Sequence, residues 1–161
     1  MVREATAEDA TAICDVLKRS ILELCIADHR DDPALLARWL RNKTPESITS
    51  EMTQPGNSML IAVEAGVILG VGLVDDTGEI HLNYVSPDAR FRGISREVMR
   101  VLETRARERG STRCTLTSTE TARRFYLSGG YVEESKLPPR FPGDFPRYQM
   151  LKLLTTGSAK P

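Results

Sequence analysis

The chain has 161 residues, 40% of them apolar, and its 22 basic and 22 acidic side chains cancel. That length supports one domain with a proper core, and the apolar share is ordinary for a globular protein. The neutral balance gives no reason to expect nucleic acid or an anionic membrane as a partner, and no apolar run approaches a membrane span.

Three cysteines, an odd count with no framework spacing, point to a reducing compartment and so to the cytoplasm. Cys14 and Cys25 fall on one predicted helix about 16 Å apart, beyond the reach of a disulfide. Cys25 reads as a small core residue and Cys114 as part of a buried strand. Neither has the basic context of a reactive thiol. The two histidines and three cysteines make no metal-ligand spacing, so no metal is expected.

In chain order, residues 2–5 read as a short strand, and Thr6 with Asp9 fits a capping box. Ile13, Val16, Leu17, Ile21, Leu24 and Cys25 form the stripe of a long helix ending near Asp28-His29. Asp32-Pro33 and Thr44-Pro45 are each an N-cap followed by proline at the first helical position. Three strands follow: Met59 to Glu64, Val67 to Val74 and Glu79 to Val85, separated by turns at Ala65-Gly66 and at Asp75 to Gly78. A helix then runs to about Arg109, with Gly110 as its stop. A strand is expected over Arg113 to Thr117, a helix over Thr121 to Leu127 and a strand over Tyr131 to Glu134. A proline- and aromatic-rich loop over Leu137 to Pro146 precedes a last strand from Arg147 to Leu154.

The stretch from Glu79 to Leu102 organises the rest. Ile80, Leu82 and Tyr84 alternate with Glu79, His81 and Asn83, and Pro87-Asp88 then breaks the ladder. The helix after Arg90-Phe91-Arg92-Gly93-Ile94-Ser95 carries its apolar stripe on Val98, Met99, Val101, Leu102 and Ala106. A strand feeding a small-residue turn and a helix start is an anion cradle, because the first helical amides lack partners and the helix dipole favours negative charge. Arg90, Arg92 and Arg96 add positive charge. The arginines between Arg90 and Arg113 also fit a solvated helix face, with Glu103 and Arg107 at i,i+4 spacing.

Arg90, Gly93 and Ser95 occupy the positions of R/Q-x-x-G-x-G/A, and the segment resembles the acyl-CoA signature of the GNAT superfamily of N-acetyltransferases. Ser95 stands where Gly or Ala is usual, and Phe91 where a second Gly is common. The run from Ala122 to Tyr131 is similar to the family's N-x-x-A-x-x-x-Y-x-x-x-G-F/Y segment, with Thr119 at the frequent Asn position and Tyr126 at the tyrosine. The order of elements from Val2 to Leu154 is also that of GNAT domains. The resemblance implies an α/β fold with a mixed, mostly antiparallel central sheet, flanked by helices and splayed between the fourth and fifth strands. Residues 1–154 would be one domain and 155–161 a disordered tail.

The resemblance further implies acetyl-CoA as cosubstrate. The backbone of Tyr84 and Val85, at a bulge in the strand, would meet the pantetheine arm and the thioester. The phosphates would sit on amides from Phe91 through Arg92, Gly93, Ile94 and Ser95 to Arg96, beside Arg90, and Thr119 would touch the pantetheine. Tyr126 would protonate the leaving thiolate. Glu79 lies where several family members keep a glutamate base, whereas His81 has the better intrinsic pKa. Either group, or water alone, could take the amine proton. His29, Arg30 and Trp39 near the first helix junction, and Phe141 in the proline-rich loop, are candidates to contact the acceptor; that loop could equally form a homodimer surface. The expected function is acetyl transfer to a primary amine of a small molecule or peptide, by direct attack in a ternary complex. A CoA-binding sensor without catalysis is the alternative.

Overall fold

The computed structural model describes residues 1–155, so the expected tail lies outside the described residues from 156 onward. The elements run β1 (Val2–Glu4), α1 (Ala10–Leu24), α2 (Ile26–His29), α3 (Pro33–Leu40), α4 (Pro45–Thr53), β2 (Ser58–Glu64), β3 (Val67–Val74) and β4 (Glu79–Val85). They continue with α5 (Ile94–Glu108), β5 (Arg113–Thr119), α6 (Glu120–Ser128), β6 (Val132–Lys136) and β7 (Arg147–Leu153).

The seven strands form one sheet in the order β1-β2-β3-β4-β5-β7-β6. Every neighbouring pair is antiparallel except β4 and β5, which run parallel and share only the Glu79–Thr115 and Ile80–Leu116 positions. Past those two positions the strands part, leaving one edge of β4 without a strand partner from Leu82 to Val85. The splay expected between the fourth and fifth strands is present.

Apolar residues fill both faces of the sheet. Ile13, Leu17 and Ile48 from α1 and α4 meet Ile61, Val71, Leu73 and Leu82 on one side. Val98, Met99, Leu102 and Ala106 from α5 meet Leu60, Val74, Leu116 and Met150 on the other. Two glycines let α5 lie close to β3. A Cβ on Gly70 would come within 2.8 Å of the Ile94 Cγ2, and one on Gly72 within 2.6 Å of the Val98 Cγ1.

The N-caps work as the residue types require. Asp32 Oδ1 accepts from the Ala34 N–H at 2.8 Å, and Thr44 Oγ1 from the Ser47 N–H at 3.2 Å. Three features differ from the sequence expectation. The first helix stops at Leu24; Cys25, at φ −105° and ψ +24°, separates it from the single turn of α2. The register of β4 against β3 shifts between Leu73 and Val74, opposite His81 and so upstream of Tyr84 and Val85. Glu103 does not pair with Arg107: it is buried, with its carboxylate 3.0 Å from Lys152 Nζ and 3.0 Å from the Tyr131 hydroxyl that donates to it.

Candidate functional site

The parting of β4 from β5 opens a cavity of about 580 Å³. Its walls come from β4, the turn at residues 89–96, β5, the start of α6, and residues of α1 and α3. No carboxylate lines it among the described residues, whereas Arg90, Arg96 and His81 do. An acid-free cavity with cations at its wall favours an anionic ligand.

The turn into α5 is built to hold that charge. Gly93, the N-cap, sits at φ +81°, a left-handed conformation that glycine adopts without penalty. It has no side chain to cap the helix, unlike Asp32, Thr44 and Thr119 at the starts of α3, α4 and α6. The first intrahelical bond runs from the Glu97 N–H to the Gly93 carbonyl, so the amides of Ile94, Ser95 and Arg96 remain available. A Cβ at Gly93 would meet no atom within 4 Å, so the space above these amides is open. Among the described residues neither Arg90 nor Arg96 forms an ion pair. Arg92 does: its Nη2 lies 2.6 Å from Glu64 Oε2, and it is not part of the cavity wall. The expectation that Arg92 adds its charge to the cradle is therefore corrected. Its neighbour across the surface is a carboxylate, and alternation in sequence does not reveal where a long side chain points.

At the other end of the unpaired β4 edge stand Asn83 and Tyr126. Asn83 Nδ2 donates to the Tyr126 hydroxyl at 3.4 Å, and Asn83 Oδ1 is buried without a partner. Tyr126 is 7% exposed, braced edge-on by Phe125 and Tyr131. Burial raises its pKa, so the phenol keeps its proton. Thr119 lines the cavity, but its oxygen accepts from the Ala122 N–H at 3.3 Å, which caps α6. The sequence reading left Asn83 out. The register shift at His81 turns Asn83 onto the face of Ile80 and α5, opposite Leu82 and Tyr84, so plain strand alternation carries no signal for it.

His81 lines the cavity and Glu79 does not. The His81 Nε2 lies 2.7 Å from Asp75 Oδ2, which leaves Nδ1 as the free ring nitrogen. Burial works against the charge on Asp75, yet hydrogen bonds from the Thr77 hydroxyl, the His81 ring and the Glu79 and Thr77 amides together hold its carboxyl below the usual range. Asp75, Glu79 and His81 offer ligand atoms within 4.8 Å of one another, but both Asp75 oxygens are already engaged in these bonds.

The acceptor-side candidates separate. Trp39 lines the cavity, donates from Nε1 to the Tyr84 hydroxyl at 3.2 Å and stacks on Phe145 at 4.8 Å. His29 is 0% exposed; its Nδ1 accepts from the Asp31 N–H and its Nε2 faces the Ile21 carbonyl at 3.0 Å. With both nitrogens satisfied inside the core, it is a structural residue, and its place as a substrate contact is corrected. Arg30 caps α2 in the left-handed region and reaches the Gly143 carbonyl, while Phe141 lies under the Arg38 guanidinium. Neither lines the cavity. Next to His29, Asp28 is buried and accepts from both the amide and the hydroxyl of Thr121, joining α2 to α6. Cys25 does reach the cavity wall, but burial pushes its thiol up to about 12, which denies it a thiolate near neutral pH.

A family profile for the acetyltransferase (GNAT) domain matches residues 25–141, and the chain belongs to that family. The fold is similar to that of a GCN5-related N-acetyltransferase from Rhodopseudomonas palustris, at 24% identity, 96% and 95% coverage of the two chains and a TM-score of 0.85. It is also similar to the PaiA N-acetyltransferase from Thermoplasma acidophilum in complex with coenzyme A, at 16% identity, 96% and 98% coverage and a TM-score of 0.78. A third similar structure is YncA of Salmonella typhimurium with acetyl-CoA, at 19% identity, 100% and 97% coverage and a TM-score of 0.68. No curated protein matches the sequence significantly. No helix of the described residues is long and apolar enough to cross a membrane.

Proposed function

We infer that the chain transfers an acetyl group from acetyl-CoA to a primary amine of a small molecule or peptide. One observation carries the reading. An uncapped helix start with two unpaired arginines, an open backbone edge of β4 and a protonated, buried tyrosine all face one acid-free cavity. Related structures that hold coenzyme A or acetyl-CoA support the same donor.

The residues then divide the work. The amides of Ile94 to Arg96, with Arg90 and Arg96, bind the diphosphate. The open edge of β4, where the Val85 N–H turns away from β3, pairs with the pantetheine arm as a further strand would, and a backbone N–H there stabilises the oxyanion. His81, held by Asp75, takes a proton from the amine at Nδ1. Asn83 Oδ1, the orphaned acceptor, orients the amine by accepting its second hydrogen. The new C–N bond forms as the C–S bond breaks, and Tyr126 supplies the proton that the departing sulfur takes up. The high thiol pKa of Cys25 argues against a covalent acetyl-enzyme and for direct attack.

Calorimetry with coenzyme A and release of free thiol from acetyl-CoA over a panel of amines test this. Binding plus turnover supports the reading. Binding without turnover on a broad panel returns the sensor, and no binding removes both.

A further inference from the structure

Phe91 is the most exposed large apolar side chain among the described residues, 90% accessible. Its φ of +63° lies in the left-handed region, where a Cβ crowds the following carbonyl. Exposure and strain are both unfavourable, and strained residues persist where surrounding structure or function requires them. Among the described residues the ring's cationic or aromatic neighbour is the Arg90 guanidinium, whose carbon lies 4.5 Å from the ring centroid. Phe91 nevertheless lines the cavity, two residues before the cradle at Gly93.

We propose that the Phe91 ring is a stacking platform for the purine base of the ligand whose diphosphate rests on the α5 amides, with Arg90 bracing the ring. This rests on the acetyl-CoA reading above. In coenzyme A the adenine is joined to the diphosphate through a single ribose, which puts the base within reach of the turn next to the cradle. An aromatic ring with an open face binds any base through its π-surface, without reading its edge. The left-handed backbone is what presents the ring outward: a residue with ordinary φ at position 91 would direct its side chain elsewhere.

The competing path for the adenosine is a neighbouring hollow of about 530 Å³ between α5 and α6, which shares Gly93, Arg96, Phe125 and Tyr126 with the cavity but not Phe91. Calorimetry on the full chain with coenzyme A, 3′-dephospho-coenzyme A and 4′-phosphopantetheine separates the two. Phe91→Gly should weaken both adenosine-bearing ligands roughly tenfold and leave phosphopantetheine within about twofold. Phe91→Trp should keep the affinity. The melting temperature of Phe91→Gly should equal or exceed that of the unaltered protein, since glycine removes the strain, so the loss cannot come from misfolding. Unchanged coenzyme affinity in Phe91→Gly, or equal weakening of all three ligands, overturns the stacking role. Absence of binding in the unaltered protein overturns the coenzyme reading and this inference with it.

Discussion

The choice between His81 and Glu79 as the base turns on which side chain reaches the cavity, and only His81 does. Turnover should fall roughly a hundredfold in His81→Ala with coenzyme affinity unchanged, as loss of a general base does. If turnover survives there and falls in Glu79→Gln, the assignment reverses. Tyr126→Phe should slow turnover roughly tenfold to a hundredfold with little change in coenzyme affinity, because a thiol leaving group needs only modest help from an acid. Both effects are read from steady-state rates beside calorimetric affinities. Thr119→Ala removes the cap of α6 and should lower unfolding free energy by about 1 kcal/mol in a urea titration. Tyr126 and Arg90 were legible in the sequence because motif spacing marks them. His29, Arg92 and Phe91 were not. Burial in a core, an ion pair with a strand 28 residues away and a left-handed φ are set by the assembled chain.

The element that positions the cradle is α5, and its closeness to β3 depends on Gly70 and Gly72. Gly72→Ala would drive a methyl to 2.6 Å from Val98 and 2.7 Å from Leu102, both core side chains. Overpacking of that kind costs about 1–3 kcal/mol and shifts the helix, so stability in urea and coenzyme affinity should fall together. On β4 the opposite logic holds: Val85→Ala should matter little, whereas Val85→Pro removes a backbone donor and should abolish coenzyme binding by calorimetry. The helices and strands themselves were readable from period, proline caps and turn residues. The break at Cys25 was not, because the apolar stripe of α1 continues through it into Cys25 without a breaker residue. Glu103 was misplaced for a related reason. Charge at i,i+4 spacing looks like a surface pair until β7 brings Lys152 against it.

Over the whole molecule, acid stability should be governed by a few depressed carboxyls. Hydrogen bonds from Arg140 hold Asp144 down to about 2, and those from Arg3 do the same for Asp9. A carboxyl with a folded pKa below its unfolded value near 3.9 contributes its full stabilisation above that value and loses it as pH falls through the folded one. The melting temperature should therefore drop between about pH 4 and pH 2, and Asp144→Asn should flatten that drop. The fold class and the splay were legible only through the family resemblance, which element order and motif spacing together carry. The seating of β7 between β5 and β6 was not, since sequence adjacency says nothing about which hairpin a final strand enters. The open side of β4 has a consequence for deuterium uptake. Backbone hydrogens of Leu82–Val85 turned away from β3 should trade with heavy water far sooner than those of β2 or β3, and filling the gap should slow them to match.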